Sequence, residues 1–171
     1  SMCKAQSRKV FCSSTKTPFC EESSDLNVTE PTTKEVPMSF DNALNAAATS
    51  VPECVAAGYV DVASGMLLAI KTVDSHPRQV IDLLAAATAD LFNGESVSMI
   101  ERMFKKARGL QDDGYHYFQE IIVNSENLIH VFLRGKTNPE YVAVFVCRKT
   151  ANLGMALTKA RLAMPKLEAA F

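Results

Sequence analysis

Apolar positions along the chain fall into two kinds of run. From Ser39 onward, Phe40, Leu44, Ala47, Ala48 and Val51 recur at the spacing of one helix face, with Ser39 suited to the N-cap and Pro52 closing the segment. Cys54–Ala63 and Met66–Val73 are instead unbroken apolar or β-branched runs on either side of Ser64–Gly65. A glycine there tolerates the positive φ of a tight turn, so the pattern predicts two antiparallel strands. Past His76–Pro77, the residues Val80, Leu83, Leu84, Ala87 and Leu91 line one face of a second helix, with Pro77 in its first turn. Asn93–Gly94 interrupts that face. Val97, Ile100, Met103 and Phe104 then resume it as far as Lys105–Arg108 and Gly109, a pattern that permits one kinked helix or two.

Asp112, Asp113 and Gly114 mark a turn, and three strand-like runs come after it: Tyr117–Val123, Leu128–Arg134 and Tyr141–Arg148. Asn152 then caps a helix carrying Leu153, Leu157, Ala160, Leu162 and Met164, with Pro165 expected to bend or end it. The element order is α-β-β-α-β-β-β-α. Strands joined mainly by hairpins form an antiparallel sheet, so the expectation is an α+β domain over 38–171: a five-stranded antiparallel sheet with helices on its faces. Residues 1–37 are rich in Ser, Thr, Glu, Lys and Pro with few apolar positions, and read as a mobile polar tail.

Charge and cysteine usage narrow the role. The formal net charge is -1 over 171 residues, which leaves no excess of positive charge to condense on phosphate, so no nucleic-acid partner is expected. No apolar run approaches the roughly 20 residues that span a bilayer, and the first residues lack a secretory signal's apolar stretch. Membrane insertion is therefore not expected, and the predicted location is cytoplasmic. Five cysteines are an odd set: Cys3, Cys12 and Cys20 sit in the polar tail, and Cys54 and Cys147 in apolar runs. That distribution argues against a disulfide framework and favours reduced thiols.

Catalytic constellations find little support. A nucleophilic site needs Ser or Cys activated by His, and His76, His116 and His130 fall at a turn, a turn and mid-strand with no motif joining them. Cys3, Cys12 and Cys20 are too widely separated to resemble the close pairs of zinc sites, and Cys54 and Cys147 read as small buried hydrophobes. No phosphate-cradling glycine loop is present, so neither cofactor nor metal is expected. Arg134 and Lys136 with Arg148 and Lys149 suggest either a small basic patch or solvated strand ends. Glu101, Arg102 and Lys105 suit an exposed, charge-paired helix face. Opposite them, Ile100, Met103 and Phe104 form a stripe that either caps the sheet or offers a partner surface.

Two stretches carry a family resemblance. Gly58–Ala69, two apolar strands turning at a polar residue plus Gly, resembles the first hairpin of the Roadblock (dynein light chain) family. Asn152–Leu153–Gly154–Met155–Ala156, after an apolar strand, resembles the start of that family's last helix. Two departures are visible: Ser64 stands where the family often has an acidic residue, and Gly94–Gly114 is longer than the usual link. The resemblance implies a profilin-like Roadblock fold in which two protomers join through the middle helix and third strand. Here that means a homodimer interface built from Leu83, Leu84, Ala87 and Leu91 with Phe118, Ile121, Ile122 and Val123. The third run has little Lys or Pro to block an edge, which agrees with this; an interior or covered strand is the competing arrangement.

The resemblance further implies a non-catalytic protein-interaction domain, a scaffold or regulator of a small GTPase or motor-type complex. The alternatives are a GTPase-activating protein that orders a partner's switch loops, or a small-ligand sensor.

Overall fold

The computed structural model describes residues 39–73, 77–111 and 113–171. The tail 1–37 with Cys3, Cys12 and Cys20, Met38, His76 and Asp112 lie outside the described residues. The elements are α1 (Phe40–Ser50), β1 (Cys54–Asp61), β2 (Met66–Thr72), α2 (Arg78–Asn93), α3 (Glu95–Ala107), β3 (Glu120–Asn124), β4 (Leu128–Arg134), β5 (Tyr141–Arg148) and α4 (Leu153–Ala170). The five strands make one antiparallel sheet in the order β2-β1-β5-β4-β3, so both β2 and β3 are edges.

Alternation along the strands divides the core in two. On one face Ala57, Tyr59, Val131, Phe145 and Cys147 pack under α1 and α4, which contribute Leu44, Ala47, Ala160 and Leu167. Burying each large side chain of this set stabilises by roughly 1.5–3 kcal/mol. On the other face the smaller cluster is Val60, Val62, Phe132 and Val142 with Ala85 and Phe92 of α2. Here α2 lies over β1 and β2. Strand register sets Thr72, Ala56, Val146, His130 and Val123 in one row and Ile70, Gly58, Val144, Phe132 and Ile121 in the next.

Local chemistry explains the boundaries. Gly65, at φ 70°, makes the β1–β2 turn, and Asp61 supports it by accepting from the Ala63 N–H at 2.9 Å and the Ser64 hydroxyl at 2.6 Å. The expected middle helix is two helices. At Gly94 a Cβ would stand 2.3 Å from the Asp90 carbonyl oxygen, so only glycine allows the chain to turn there. Asn152 caps α4 by accepting from the Met155 N–H at 3.0 Å.

Of the two expected effects of Pro165, bending or ending α4, the second is ruled out: the helix runs to Ala170. The loss of one backbone bond is offset by the residues beyond it, since Leu167 is fully buried and Glu168 accepts from the Thr137 and Asn138 N–H groups.

Of the two readings of Arg134, Lys136, Arg148 and Lys149, the basic patch does not form, and Arg134 is no solvated strand end. Register pairs Arg134 with Val142 and Leu128 with Arg148, which puts the two arginines at opposite ends of the sheet. Arg134 is buried, at 3% exposure. Its guanidinium donates to the Phe92 carbonyl at 3.0 Å, to Asn93 Oδ1 at 2.9 Å and to the Pro139 carbonyl at 2.9 Å, and lies 5.0 Å from the Phe92 ring centre. A cation at the C-terminal end of α2 also complements the helix dipole. Burial pushes the guanidinium below its ordinary value, with Glu101 and Glu140 opposing the shift. Arg134 thus ties the α2–α3 junction to β4. Arg134→Met removes the donors from the buried Phe92 carbonyl and from the Pro139 carbonyl and is expected to cost about 3 kcal/mol in denaturant unfolding, with Arg134→Lys recovering less than half because it cannot span all three acceptors.

Candidate functional site

The edge at β3 is open. Among the described residues its partner is β4 alone, and it contains neither Lys nor Pro. The Arg134 N–H donates to the Gln119 carbonyl and the Ser125 N–H to the Leu128 carbonyl, so hydrogen bonds to β4 fall at the odd positions of this strand. By antiparallel alternation the N–H and C=O groups of Glu120, Ile122 and Asn124 point outward, away from β4. Ile122 and Val123 are about two-fifths exposed, and Ile121 is half-buried against the Phe132 cluster. The side chain of Glu120 is held from α4, where Arg161 donates to it through Nε at 2.7 Å and Nη2 at 2.6 Å. That pairing holds the Glu120 carboxyl below its ordinary value. The charge is thereby drawn toward the helix layer, leaving an apolar border at Ile122–Val123.

The strand begins later than the sequence pattern suggests. Tyr117 and Phe118 precede it, and their N–H groups donate to Glu101 Oε1 at 2.7 and 3.2 Å instead of joining a ladder. Phe118, expected on the edge strand, is therefore a half-buried residue of the segment entering it.

The helix α2, which lies over β1 and β2, is apolar on two adjoining faces. Ala85, Thr88 and Phe92 are buried against the sheet, whereas the stripe the sequence singles out is exposed: Leu83 at 70%, Leu84 at 57%, Leu91 at 39%, with Ala87 also exposed. The inward register is the one a residue along. A cavity of about 310 Å³ opens between α2 and the sheet, lined by Leu67, Ile70, Val80, Leu84, Val144 and Val146 and by the polar groups of Thr88 and His130. His130 stacks on Phe132 at 6.4 Å, its Nε2 is 3.5 Å from Ser125 Oγ, and burial lowers its pKa.

In α3 two of the three residues expected on an exposed charged face turn inward, Arg102 alone staying exposed, and the apolar stripe does not cap the sheet. Glu101 and Lys105 are buried at 5% and 6%, and Ile100, Met103 and Phe104 are exposed. The reason lies in the segment before β3. Glu101 receives His116 Nδ1 at 3.0 Å as well as the two backbone N–H groups, and Lys105 pairs with Asp113 at 3.0 Å. Burial alone would push the Glu101 carboxyl up, but the bonds from His116, Phe118 and Tyr117 outweigh it and hold the carboxyl below its ordinary value. With the polar face spent on the chain's own backbone, Ile100, Met103 and Phe104 are left to solvent, Phe104 resting 6.3 Å from the Tyr117 ring. Sequence reasoning misses the anchoring roles of Glu101 and Arg134, because helical spacing does not reveal a donor fifteen residues downstream.

Among the described residues no group of three or more His, Cys, Asp or Glu is placed to hold a metal, and no helix is long and apolar enough to cross a membrane. Removing the Glu101 anchor should free the approach to β3. Glu101→Ala is expected to cost about 2 kcal/mol and to speed amide exchange at Tyr117 and Phe118 while Val131 in β4 stays protected. Because the folded carboxyl lies below its ordinary 4.5, its contribution is complete above that value and is lost as pH falls through the folded one. Exchange at the same two amides should therefore rise on acidification in the parent chain and respond less in the variant.

No family model and no curated protein matches the chain. Solved structures do. An MglB with tetrameric arrangement is 21% identical, over 77% of this chain and 90% of that one, with a TM-score of 0.57. The gliding protein MglB from Thermus thermophilus is 20% identical, over 78% and 90%, at 0.59. A Roadblock/LC7 domain from Streptomyces avermitilis is 12% identical, over 76% and 95%, at 0.54. At these identities the likeness concerns architecture, and the chain has a Roadblock-like fold.

Proposed function

We propose that this Roadblock-like domain is a non-catalytic homodimer that docks and regulates a small GTPase or a comparable protein complex. The observation carrying the proposal is the conjunction of an unblocked edge strand with an exposed leucine stripe on α2. Outward N–H and C=O groups of Glu120, Ile122 and Asn124 form a ready template for a second strand. Pairing β3 with its twin about a two-fold axis joins two five-stranded sheets into one of ten, and brings the α2 stripes of both protomers to the same face. The Roadblock-like architecture supports the partner class, and the exposed Ile100, Met103 and Phe104 on α3 supply the docking surface.

Sedimentation velocity at micromolar concentration is expected to show a dimer. Leu83→Glu with Leu84→Glu places four carboxylates in the interface and should weaken association by at least a hundredfold, about 2.7 kcal/mol. Met103→Glu with Phe104→Glu should leave the dimer intact and abolish binding to GTP-loaded small GTPases in a titration panel. A parent chain that stays monomeric at high micromolar concentration contradicts the proposal. Acceleration of phosphate release by the dimer would instead assign it GTPase-activating activity.

The cavity under α2 favours a second reading, a sensor of small apolar ligands, since it combines apolar walls with Thr88 and His130. A thermal-shift screen tests it: a specific ligand raises the melting midpoint, and Val144→Phe, which fills the cavity, removes the rise.

A further inference from the structure

Cys54 and Cys147 stand opposite one another in the central β1–β5 pair. Their alignment depends on a bulge. The register shifts between Cys54 and Ala56, leaving Val55 as the extra residue. In a regular ladder Ala56 opposite Val146 would bring Val55 opposite Cys147 and send Cys54 to the other face. The bulge instead delivers Cys54 to the face where Cys147 is packed. Glu53, the residue just before, has a φ of 54°, a conformation uncommon for a residue with a side chain, so the local backbone bends to reach this arrangement.

The pairing type suits a bond between the two sulfurs. The Arg148 N–H donates to the Glu53 carbonyl at 3.0 Å, so the adjacent Cys54–Cys147 pair is a non-hydrogen-bonded one, in which Cα atoms approach to about 4.5 Å. Disulfides accept Cα separations from about 4.4 Å upward. Both residues are free thiols, and Cys54 Sγ donates to the Ala56 carbonyl at 3.2 Å. Their environments differ in the way an attacking and a resolving thiol require. Cys147 is fully buried, whereas Cys54 is half-buried and lines a surface cavity of about 210 Å³ with Asn45, Thr49 and Lys71. The more accessible Cys54, whose pKa is lowered chiefly by its side-chain contact with Cys147, is therefore the thiol that an oxidant reaches first.

We infer that Cys54 and Cys147 are an oxidisable dithiol that closes into a cross-strand disulfide on reaction with a peroxide. The Cys54 thiolate attacks one peroxide oxygen, the O–O bond breaks, and with one proton taken up the products are a sulfenic acid at Cys54 and water. The Cys147 sulfur then attacks the Cys54 sulfur, the S–O bond breaks, and the Cys147 proton leaves with the hydroxide as a second water. The two thiols lose two electrons in all, and the peroxide gains them. The product joins β1 to β5 across a long stretch of chain, which restricts the unfolded state and stabilises the fold. A thiol reductant reverses it.

The test uses the full chain, reduced and then exposed to hydrogen peroxide, with remaining thiols alkylated under denaturing conditions before digestion and mass spectrometry. A linked Cys54–Cys147 peptide pair is expected, lighter by two hydrogens than the sum of its free forms and absent in Cys54→Ser. In a chain whose Cys3, Cys12 and Cys20 are replaced by Ser, oxidation should raise the melting midpoint by about 5–10 °C, and dithiothreitol should abolish the rise. Recovery of Cys147 alkylated after oxidation of Cys54, or of Cys54 linked to a tail cysteine, overturns the inference. A linked pair with no reversible rise in the midpoint overturns the stabilising role.

Discussion

A five-stranded open sheet presents two faces and two edges, and among the described residues the helices close one face fully. On that face α1 and α4 seal Tyr59, Val131, Phe145 and Cys147. On the other, α2 lies over β1 and β2, and the rows that run from Thr72 to Val123 and from Ile70 to Ile121 extend beyond it toward the β3 edge. The proposed function grows out of this shortfall. The exposed leucines of α2, the cavity beneath it and the outward peptide groups of β3 all adjoin the incompletely covered face, and apolar area of this kind is removed from water by association.

Two buried charges keep that face in shape. Arg134 fastens the end of α2 to β4 with donors to Phe92, Asn93 and Pro139. Glu101 gathers the segment leading into β3 through His116, Tyr117 and Phe118. Each is a single side chain meeting several backbone groups, the arrangement that makes a buried charge tolerable. Each also positions one half of the candidate interface: Arg134 the helix, Glu101 the strand.

The strands and their hairpins are legible in the sequence because alternating or unbroken apolar runs bounded by Gly, Asn and Pro have few other solutions, and the runs Leu128–Arg134 and Tyr141–Arg148 coincide with β4 and β5 to the residue. The features that escape the pattern depend on distant partners. Periodicity identifies α2 as amphipathic, yet two adjoining apolar faces make its register ambiguous, and Phe92 and Ala85 are buried against the sheet while Leu83 is exposed and Leu84 only borders the cavity. In α3, Glu101 and Lys105, expected outward with Arg102, turn inward because partners reach them from 113–118. Local propensity alone makes Pro165 a break, while the burial of Leu167 and the contacts of Glu168 outweigh that cost.

The central claim is that the outward peptide groups of β3 are satisfied by the same strand of a second copy. Residue-resolved hydrogen exchange at Ile122, followed as protein concentration is lowered, addresses it directly. Its N–H points away from β4, so among the described residues of one protomer it has no ladder partner. The account predicts slow exchange at micromolar concentration that accelerates toward the rate of an open amide on dilution, while the neighbouring Val123 N–H, bonded within the protomer, stays protected throughout. Fast exchange at Ile122 at every concentration would contradict it.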